Sequence, residues 1–181
     1  MVVRVAAAAW EAAMTLAACN MSTGIAIVAS GCFWGTQYYM KRIPGVTRCE
    51  VGYTGGHVDH PTYEQVCGQG TGHYEAARIT YDMESVSYET ILKMFFETHD
   101  PTQWDGQGPD LGPQYRSAIF VANVSERTTA EKLISQLKFK GMDIATRILD
   151  QTTFFVAEDG HQDYYDQKGG TPYCHAYKAL F

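Results

Sequence analysis

The apolar positions of this chain fall into short runs with two different periods, and these runs predict its secondary structure. The run 24–30 is continuously apolar and partly β-branched, which is typical of a buried strand. The run 75–81 alternates between apolar and polar positions, as a half-buried strand does. The segment 87–98 instead places its apolar residues on one helical face, behind Ser87 as the N-cap. The whole pattern predicts strands over 24–30, 46–53, 75–81, 115–122 and 145–150, and helices over 33–42, 87–98 and 125–139.

Two long segments, 54–73 and 99–114, are rich in residues that break regular structure, and we predict them as loops. The tail 151–181 is predicted to be irregular, with a short helix around 159–167. The order βαββαβ, followed by a helix, a strand and the tail, predicts an α+β fold with helices packed on a mainly antiparallel sheet. Long loops in a compact domain are usually functional, so we expect the chemistry to lie beside them.

Composition narrows the classes of function. The chain has 181 residues, 45% of them hydrophobic, which suits one soluble domain. Its net charge of -6 argues against a nucleic-acid partner, and it has no apolar run near the ~20 residues of a membrane helix. The five cysteines are odd in number and widely spaced, which favours free thiols in a reducing, cytoplasmic compartment. No Cys or His pairs have zinc-site spacing, so we expect no metal.

The N-terminal residues 1–23 are interpreted as an extension, either a leader or a mis-assigned start, before a domain over 24–181. Segment 16–19, Leu-Ala-Ala-Cys, is similar to a bacterial lipoprotein cleavage box, which would mean export or a lipid anchor through Cys19. Glu11 interrupts the apolar part of such a signal, and Met21 offers another start just before the first strand. We favour a non-catalytic extension and keep the lipid anchor as the alternative.

The segment 31–35, Gly-Cys-Phe-Trp-Gly, is the first candidate for chemistry. Cys32 falls at the predicted strand-to-helix turn, where unpaired N–H groups and the helix dipole favour an anion. We therefore expect the pKa of the Cys32 thiol to be lowered, which would make it a nucleophile. The alternative is a buried structural cysteine, and position alone favours neither interpretation.

Other candidates lie in the loops and the tail. Partial burial at the start of a strand would raise the pKa of Glu75 and make it a proton donor, although the local sequence alone favours a solvated glutamate. Asp110 could orient its loop and Tyr115 could bind an oxygen, but the local sequence favours a turn residue and a tyrosine packed in a strand. Cys174, in a tail expected to be mobile, is either a thiol that resolves a sulfenic acid on Cys32 or an incidental exposed cysteine.

Six segments together carry a resemblance to a known family. They occur in order along 24–181: 31–35 (GCFWG), 50–56 (EVGYTGG), 63–67 (YEQVC), 72–75 (GHYE), 108–117 (GPD and QYRS) and 161–165 (HQDYY). With these segments the chain resembles peptide-methionine (S)-S-oxide reductase, the A-type methionine sulfoxide reductase. The resemblance implies a catalytic domain over 24–181 and a two-layer α/β sandwich with a ferredoxin-like core.

The resemblance also implies a role for each matching residue. Cys32 would be the nucleophile and Glu75 the general acid. The remaining implied roles are sulfoxide-oxygen binding by Tyr63 and Tyr115, a methyl pocket of Phe33 and Trp34, support of the pocket by Asp110, and resolution by Cys174.

The implied reaction is the reduction of methionine S-sulfoxide, in proteins and peptides or free, to methionine. It would pass through a Cys32 sulfenic acid and a Cys32–Cys174 disulfide, which thioredoxin or another dithiol would reopen. No bound cofactor or metal is implied. We expect a monomer with no membrane span and no nucleic-acid partner.

Three other functions remain open from the sequence. A thiol peroxidase would use both cysteines but would leave the Phe-Trp pair and the acid without a role. A hydrolytic Cys–His enzyme would need a histidine oriented by an acid, and no such pair stands out. A non-enzymatic module would use the aromatic residues to bind methionine-like side chains.

Overall fold

The computed structural model describes residues 22–181. The predictions for residues 1–21, including the lipoprotein-type box and the alternative start at Met21, lie outside the described residues. The strands are β1 (Thr23–Ser30), β2 (Val46–Thr54), β3 (Tyr74–Asp82), β4 (Gly106–Gln107), β5 (Asp110–Leu111), β6 (Ser117–Val121), β7 (Arg147–Asp150) and β8 (Phe155–Val156). The α-helices are α1 (Phe33–Met40), α2 (Tyr63–Cys67), α3 (Tyr88–Glu97), α4 (Val124–Phe139) and α5 (Tyr164–Lys168).

One six-stranded sheet, in the order β7-β6-β1-β3-β2-β8, forms the frame of the molecule. The four central strands β6, β1, β3 and β2 pair antiparallel, in the spatial order 4-1-3-2 of a ferredoxin-like βαββαβ core. Strand β7 joins β6 in parallel because α4 carries the chain back along the sheet between them. The α+β class and the mainly antiparallel mixed sheet are therefore confirmed.

The main core lies between the helices and one face of the sheet. Alternate residues of β1 (Ala26 and Val28) face this core, and the side chains between them (Ile27 and Ala29) belong to a second cluster. The helices contribute fully buried residues on one face each, with Phe95 and Phe96 the largest on α3. The sheet is thus buried on both faces near its centre, which holds rigid the end of β1 from which Cys32 emerges.

The predicted loop 54–73 contains a helix that the sequence analysis missed. Helix α2 begins after Thr62, whose hydroxyl accepts a hydrogen bond from the Gln65 backbone N–H while the Gln65 side chain accepts from the Thr62 N–H. This capping box explains how a surface helix of only five residues can be stable. The Thr-x-x-Gln pattern was readable in the sequence, but the many glycines around it concealed the helix.

The second predicted loop, 99–114, also has internal structure. Strands β4 and β5 form a small hairpin, and Pro113 begins a 3₁₀ turn that ends at Tyr115. The prediction of a strand starting at Tyr115 was therefore wrong, because β6 begins two residues later at Ser117. Helix α4 begins after Asn123, whose side chain accepts from the Glu126 N–H, and not after Ser125 as predicted.

The remaining boundaries shift by a few residues. Helix α1 ends at Met40, before the predicted residue 42, and β7 begins at Arg147. The tail forms strand β8, a 3₁₀ turn over Asp159–His161 and helix α5 in place of one helix over 159–167. Within residues 22–181 no helix is long and apolar enough to span a membrane.

Candidate active site

Cys32 lies at the turn from β1 into α1, where the sequence places it. Gly31 has φ +97°, a conformation that favours glycine, and it turns the chain sharply before the helix. Cys32 occupies the N-cap position of α1 and is only 7% exposed. Its sulfur therefore lies at the positive end of the helix, with little access to water.

The pKa of the Cys32 thiol is raised, so the predicted lowering was wrong. A hydrogen bond to the Cys174 side chain holds the proton, and burial disfavours the thiolate further. The backbone N–H of Trp34 does lower the pKa, as a helix N-terminus should, but it is outweighed. The reduced site therefore holds a pair of hydrogen-bonded thiols.

Cys174 is packed beside Cys32 and is neither exposed nor far away. It is 6% exposed, and both cysteines are free thiols. Its backbone carbonyl accepts a hydrogen bond from Gln107 Nε2 at 3.2 Å. The hairpin that carries Gln107 thus seats the tail against the catalytic turn, in contrast to the exposed, mobile tail expected from the sequence.

Glu75 is the second buried polar group of the site. It stands on β3 opposite Tyr53 of β2 and is 1% exposed. Its Oε2 accepts a hydrogen bond from the Phe33 N–H at 3.1 Å, and its Oε1 has no hydrogen-bond partner within residues 22–181. Burial, reinforced by charge on Cys32, raises the pKa of Glu75 well above its ordinary value. The raised pKa favours the protonated form of this carboxyl, next to the Cys32 turn.

Two tyrosines lie within the electrostatic reach of Glu75. Tyr63 begins α2, and Tyr115 ends the 3₁₀ turn before β6. Burial raises the pKa of both hydroxyls, and the nearby carboxyl of Glu75 raises both further. Both tyrosines are therefore neutral hydrogen-bond donors directed at the same region. Cys67, one helical turn after Tyr63, hydrogen-bonds both hydroxyls, a contact that the sequence analysis did not expect.

An aromatic wall stands over the turn. Phe33 is fully buried and packs beneath Tyr63, with ring centroids 6.4 Å apart. Trp34 is partly exposed, stacks on Tyr164 at 3.8 Å, and donates its indole N–H to His161 Nδ1 at 3.2 Å. His161 and Tyr164 were missed as pocket residues, although both belong to a segment, 161–165, that carried the family resemblance.

Asp110 lies at the rim of the site and is not packed against the aromatic wall. It belongs to β5, and both its carboxylate oxygens accept from the Tyr173 hydroxyl at 3.0 Å. Its negative charge raises the pKa of both Cys32 and Glu75. Asp110 therefore fastens the residue before Cys174 and favours the protonated acid.

The described part of the chain, residues 22–181, contains no group of three or more His, Cys, Asp or Glu that could hold a metal ion. The side chains that the site does bring together are two thiols, a carboxyl with a raised pKa and two hydroxyls. On an α+β frame, this combination defines a cysteine-dependent redox enzyme.

Comparison with known proteins makes the identification specific. The sequence model of the family "Peptide methionine sulfoxide reductase" matches residues 24–180. The chain belongs to the peptide methionine sulfoxide reductase family, and its reaction is the thiol-dependent reduction of methionine sulfoxide. The family expected from the six sequence segments is thus confirmed.

Relatives match over most of their length. Peptide methionine sulfoxide reductase MsrA of Erwinia tasmaniensis is 48% identical over 156 residues, which cover 85% of this chain and 88% of that protein. The MsrA of Deinococcus radiodurans is 47% identical over 154 residues, covering 83% and 75%. The structure is similar to that of Mxr1 from Saccharomyces cerevisiae in reduced form, with a TM-score of 0.81, 30% identity and coverage of 86% and 92%. It is also similar to that of methionine sulfoxide reductase A of Corynebacterium diphtheriae, with a TM-score of 0.75 and 32% identity. That match covers 86% of this chain and 80% of the other.

Proposed function

We propose that this chain reduces the S epimer of methionine sulfoxide, with Cys32 as nucleophile and Glu75 as general acid. The observation that carries the assignment is the buried carboxyl of Glu75, hydrogen-bonded to the backbone beside Cys32 and held in its protonated form. A sulfoxide needs this pairing, because its sulfur becomes more electrophilic as its oxygen accepts a proton. A thiol peroxidase would leave the aromatic pair Phe33 and Trp34 without a role.

In the first step the Cys32 sulfur attacks the sulfoxide sulfur. Glu75 gives its proton to the sulfoxide oxygen, and the hydroxyls of Tyr63 and Tyr115 hold that oxygen as charge develops on it. The Trp34 N–H favours the thiolate that forms as the Cys32 proton leaves. The aromatic wall, with Phe33 behind it and Trp34 at its edge, receives the methyl group of the substrate. Methionine departs and Cys32 is left as a sulfenic acid.

In the second step Cys174 attacks the Cys32 sulfenic acid, forming a disulfide and releasing water. The burial of both thiols side by side supports this pairing over one with Cys67. A dithiol reductant then reopens the disulfide by thiol exchange. We propose thioredoxin for this role, since Mxr1 from Saccharomyces cerevisiae has been crystallised in complex with Trx2.

We propose further that the substrate is methionine sulfoxide in proteins and peptides as well as free. The aromatic wall is formed by surface segments, which suits a flexible oxidised side chain. Residues 1–23 are proposed to be a non-catalytic extension, and the catalytic domain to cover 24–181, close to the family match. A cytoplasmic monomer is the setting we propose for it.

A thioredoxin-coupled assay on the two sulfoxide epimers, run separately, tests this function. We expect turnover of the S epimer only, and its loss in Cys32→Ser.

Cys174→Ser should still release one methionine per enzyme but stop turnover. Cys49→Ser is the matched control, a cysteine lying apart from these residues, and should behave like the parent. Activity retained in Cys32→Ser, or faster turnover of hydrogen peroxide than of the sulfoxide, would contradict the proposal.

A further inference from the structure

A buried histidine that the two steps above do not use lies against Cys174. His175 is 4% exposed, and its Nδ1 is 3.1 Å from Cys174 Sγ. Its ring also packs closely against Gly35 of α1, since a Cβ added there would come within 2.2 Å of the same Nδ1. The glycine therefore leaves the space that lets the imidazole reach the second thiol.

The other side of the ring faces Ser30. The Nε2 of His175 is 3.4 Å from Ser30 Oγ, and a hydrogen bond with the Ser30 backbone favours a proton on the ring. A neutral ring carries its proton on one nitrogen only, and in the tautomer that donates to Ser30 this nitrogen is Nε2. Ser30 Oγ lies 2.8 Å from Thr36 Oγ1, which donates to the Cys32 carbonyl, so the Ser30 hydroxyl can donate onward and keep a lone pair for the ring. In this tautomer Nδ1 is unprotonated and faces the Cys174 thiol.

We propose that His175 is the general base of the second half-reaction, taking the Cys174 thiol proton as that sulfur attacks the sulfenic acid on Cys32. The inference rests on the proposed function. The Cys174 S–H bond breaks towards Nδ1, a sulfur–sulfur bond forms, and the S–O bond of the sulfenic acid breaks. Cys174 is oxidised and the sulfenic sulfur is reduced. The leaving hydroxide takes the proton back from the imidazolium and departs as water.

The surroundings keep the resting ring neutral. Burial, and next the neighbouring His99, lower the pKa of His175 to about 3. Burial likewise lowers the pKa of His99 to about 4. The other titratable groups near the ring are the two thiols and, in the cleft of about 570 Å³ that His175 helps to line, Tyr173, Asp100 and Lys178. With so low a pKa the ring does not hold the proton as a stable imidazolium, so its transfer to the leaving hydroxide, a far stronger base, accompanies the attack of the sulfur.

The test is the rate of disulfide formation in His175→Gln, which keeps a polar side chain but lacks a titratable nitrogen. Reduced enzyme receives one equivalent of either methionine sulfoxide or hydrogen peroxide. Sulfenic acid is trapped with dimedone at set times, and the Cys32–Cys174 disulfide is measured by mass spectrometry. We expect the first step to keep its rate and disulfide formation to slow ~10²–10⁴-fold at pH 7. The deficit should shrink as pH rises, because hydroxide then removes the thiol proton in place of the imidazole.

The matched control is His73→Gln, which removes another buried histidine, one whose ring nitrogens bond to backbone groups, the Gly56 N–H and the Val58 carbonyl. Its disulfide should form close to the parent rate. A parent-like rate in His175→Gln, or a loss that is the same at every pH, would overturn the inference. If the parent releases no methionine, the proposed function fails, while the peroxide arm still measures the second step.

A measurement on the unmutated protein guards against misfolding of the variant. Nitrogen-15 NMR of the histidine rings distinguishes the two neutral tautomers. We expect His175 to carry its proton on Nε2 in the reduced enzyme. A proton on Nδ1 would mean that the ring donates to Cys174, and it would overturn the inference.

Discussion

At the scale of single residues, the site depends on two groups whose environments push them towards the neutral form. Glu75 is neutral because it is buried, and Cys32 because it is hydrogen-bonded to Cys174 and buried. The first state suits the proposed general acid, while the second means that Cys32, the proposed nucleophile, must lose its proton as it reacts. The backbone N–H of Trp34, at the start of α1, lowers the pKa of Cys32 and so partly offsets the free energy needed to remove this proton.

Replacing the acid should therefore slow the chemical step and leave the thiols intact. In Glu75→Gln the Phe33 N–H keeps an acceptor but the transferable proton is gone. We expect single-turnover release of methionine to fall ~10²–10⁴-fold, the usual contribution of a positioned acid. Rapid-quench sampling of methionine measures it. A loss below tenfold would mean that Tyr63, Tyr115 or water supplies the proton.

The same substitution should change how stability depends on pH. The folded-state pKa of Glu75 is raised, so its contribution to stability is fully present below the unfolded value of about 4.3 and is lost as pH rises through the folded value. Glutamine cannot ionise and escapes this loss. Urea unfolding across the pH range should show Glu75→Gln gaining on the parent as pH rises. A stability difference that stays constant with pH would refute the burial of an ionisable acid.

At the scale of elements, the sequence predicted the long elements and missed the short ones. Helix α3 was found because its apolar face and the Ser87 cap agree. Helix α2 and the β4–β5 hairpin are too short to show a period, and they are held by a capping box and by tertiary contacts. Helix α2 carries Tyr63, and the hairpin binds the backbone of Cys174. The sequence therefore could not predict how these two residues are positioned in the site.

The cap of α2 should control how firmly Tyr63 is held. Thr62→Ala removes the acceptor of the Gln65 N–H, which costs about 1 kcal/mol of local stability. Hydrogen exchange at the Val66 and Gly68 amides, which bond within α2, should quicken about fivefold. Ser87→Ala is the matched control, a cap removed from α3. It should lower the global unfolding free energy and leave exchange in α2 unchanged, and faster α2 exchange in that control would contradict the account.

At the scale of the whole molecule, the tail is the part that completes the site. Cys174 joins Cys32 because the chain after it is tied to the end of α3. The Lys178 N–H donates to the Glu97 carbonyl at 2.7 Å, and the N–H groups of Leu180 and Phe181 donate to Glu97 Oε1. Residue types suggested the resolving thiol, but only tertiary packing could bring it into contact with Cys32.

Loosening this tie should affect the second step alone. Glu97→Ala removes the side-chain acceptor for Leu180 and Phe181, while Glu97→Gln keeps an oxygen there. If the loss of these hydrogen bonds weakens the docking of the tail by about 1–2 kcal/mol, disulfide formation should slow about 5- to 30-fold in the alanine variant. The glutamine variant should form the disulfide at the parent rate. Both should release the first methionine at the parent rate. A slower first step would show that Glu97 supports the whole fold.

The candidate residues of the site came from the sequence, but their protonation and contacts did not. The position of Cys32 at a helix start was predicted correctly, yet the direction of its pKa was wrong, because the partner that holds its proton lies 142 positions later in the chain (174 − 32). Local sequence reports a helix dipole, whereas burial and a distant thiol depend on the folded chain.

The central claim is that Cys32 and Cys174 act in succession on one sulfoxide. Fully reduced enzyme should be mixed with one equivalent of methionine (S)-sulfoxide in the absence of reductant, then alkylated and mapped by mass spectrometry. We expect one methionine per enzyme and one disulfide, joining Cys32 to Cys174, with Cys49 and Cys67 still reduced. Methionine released with Cys32 unoxidised, or a disulfide joining Cys32 to Cys67, would contradict it.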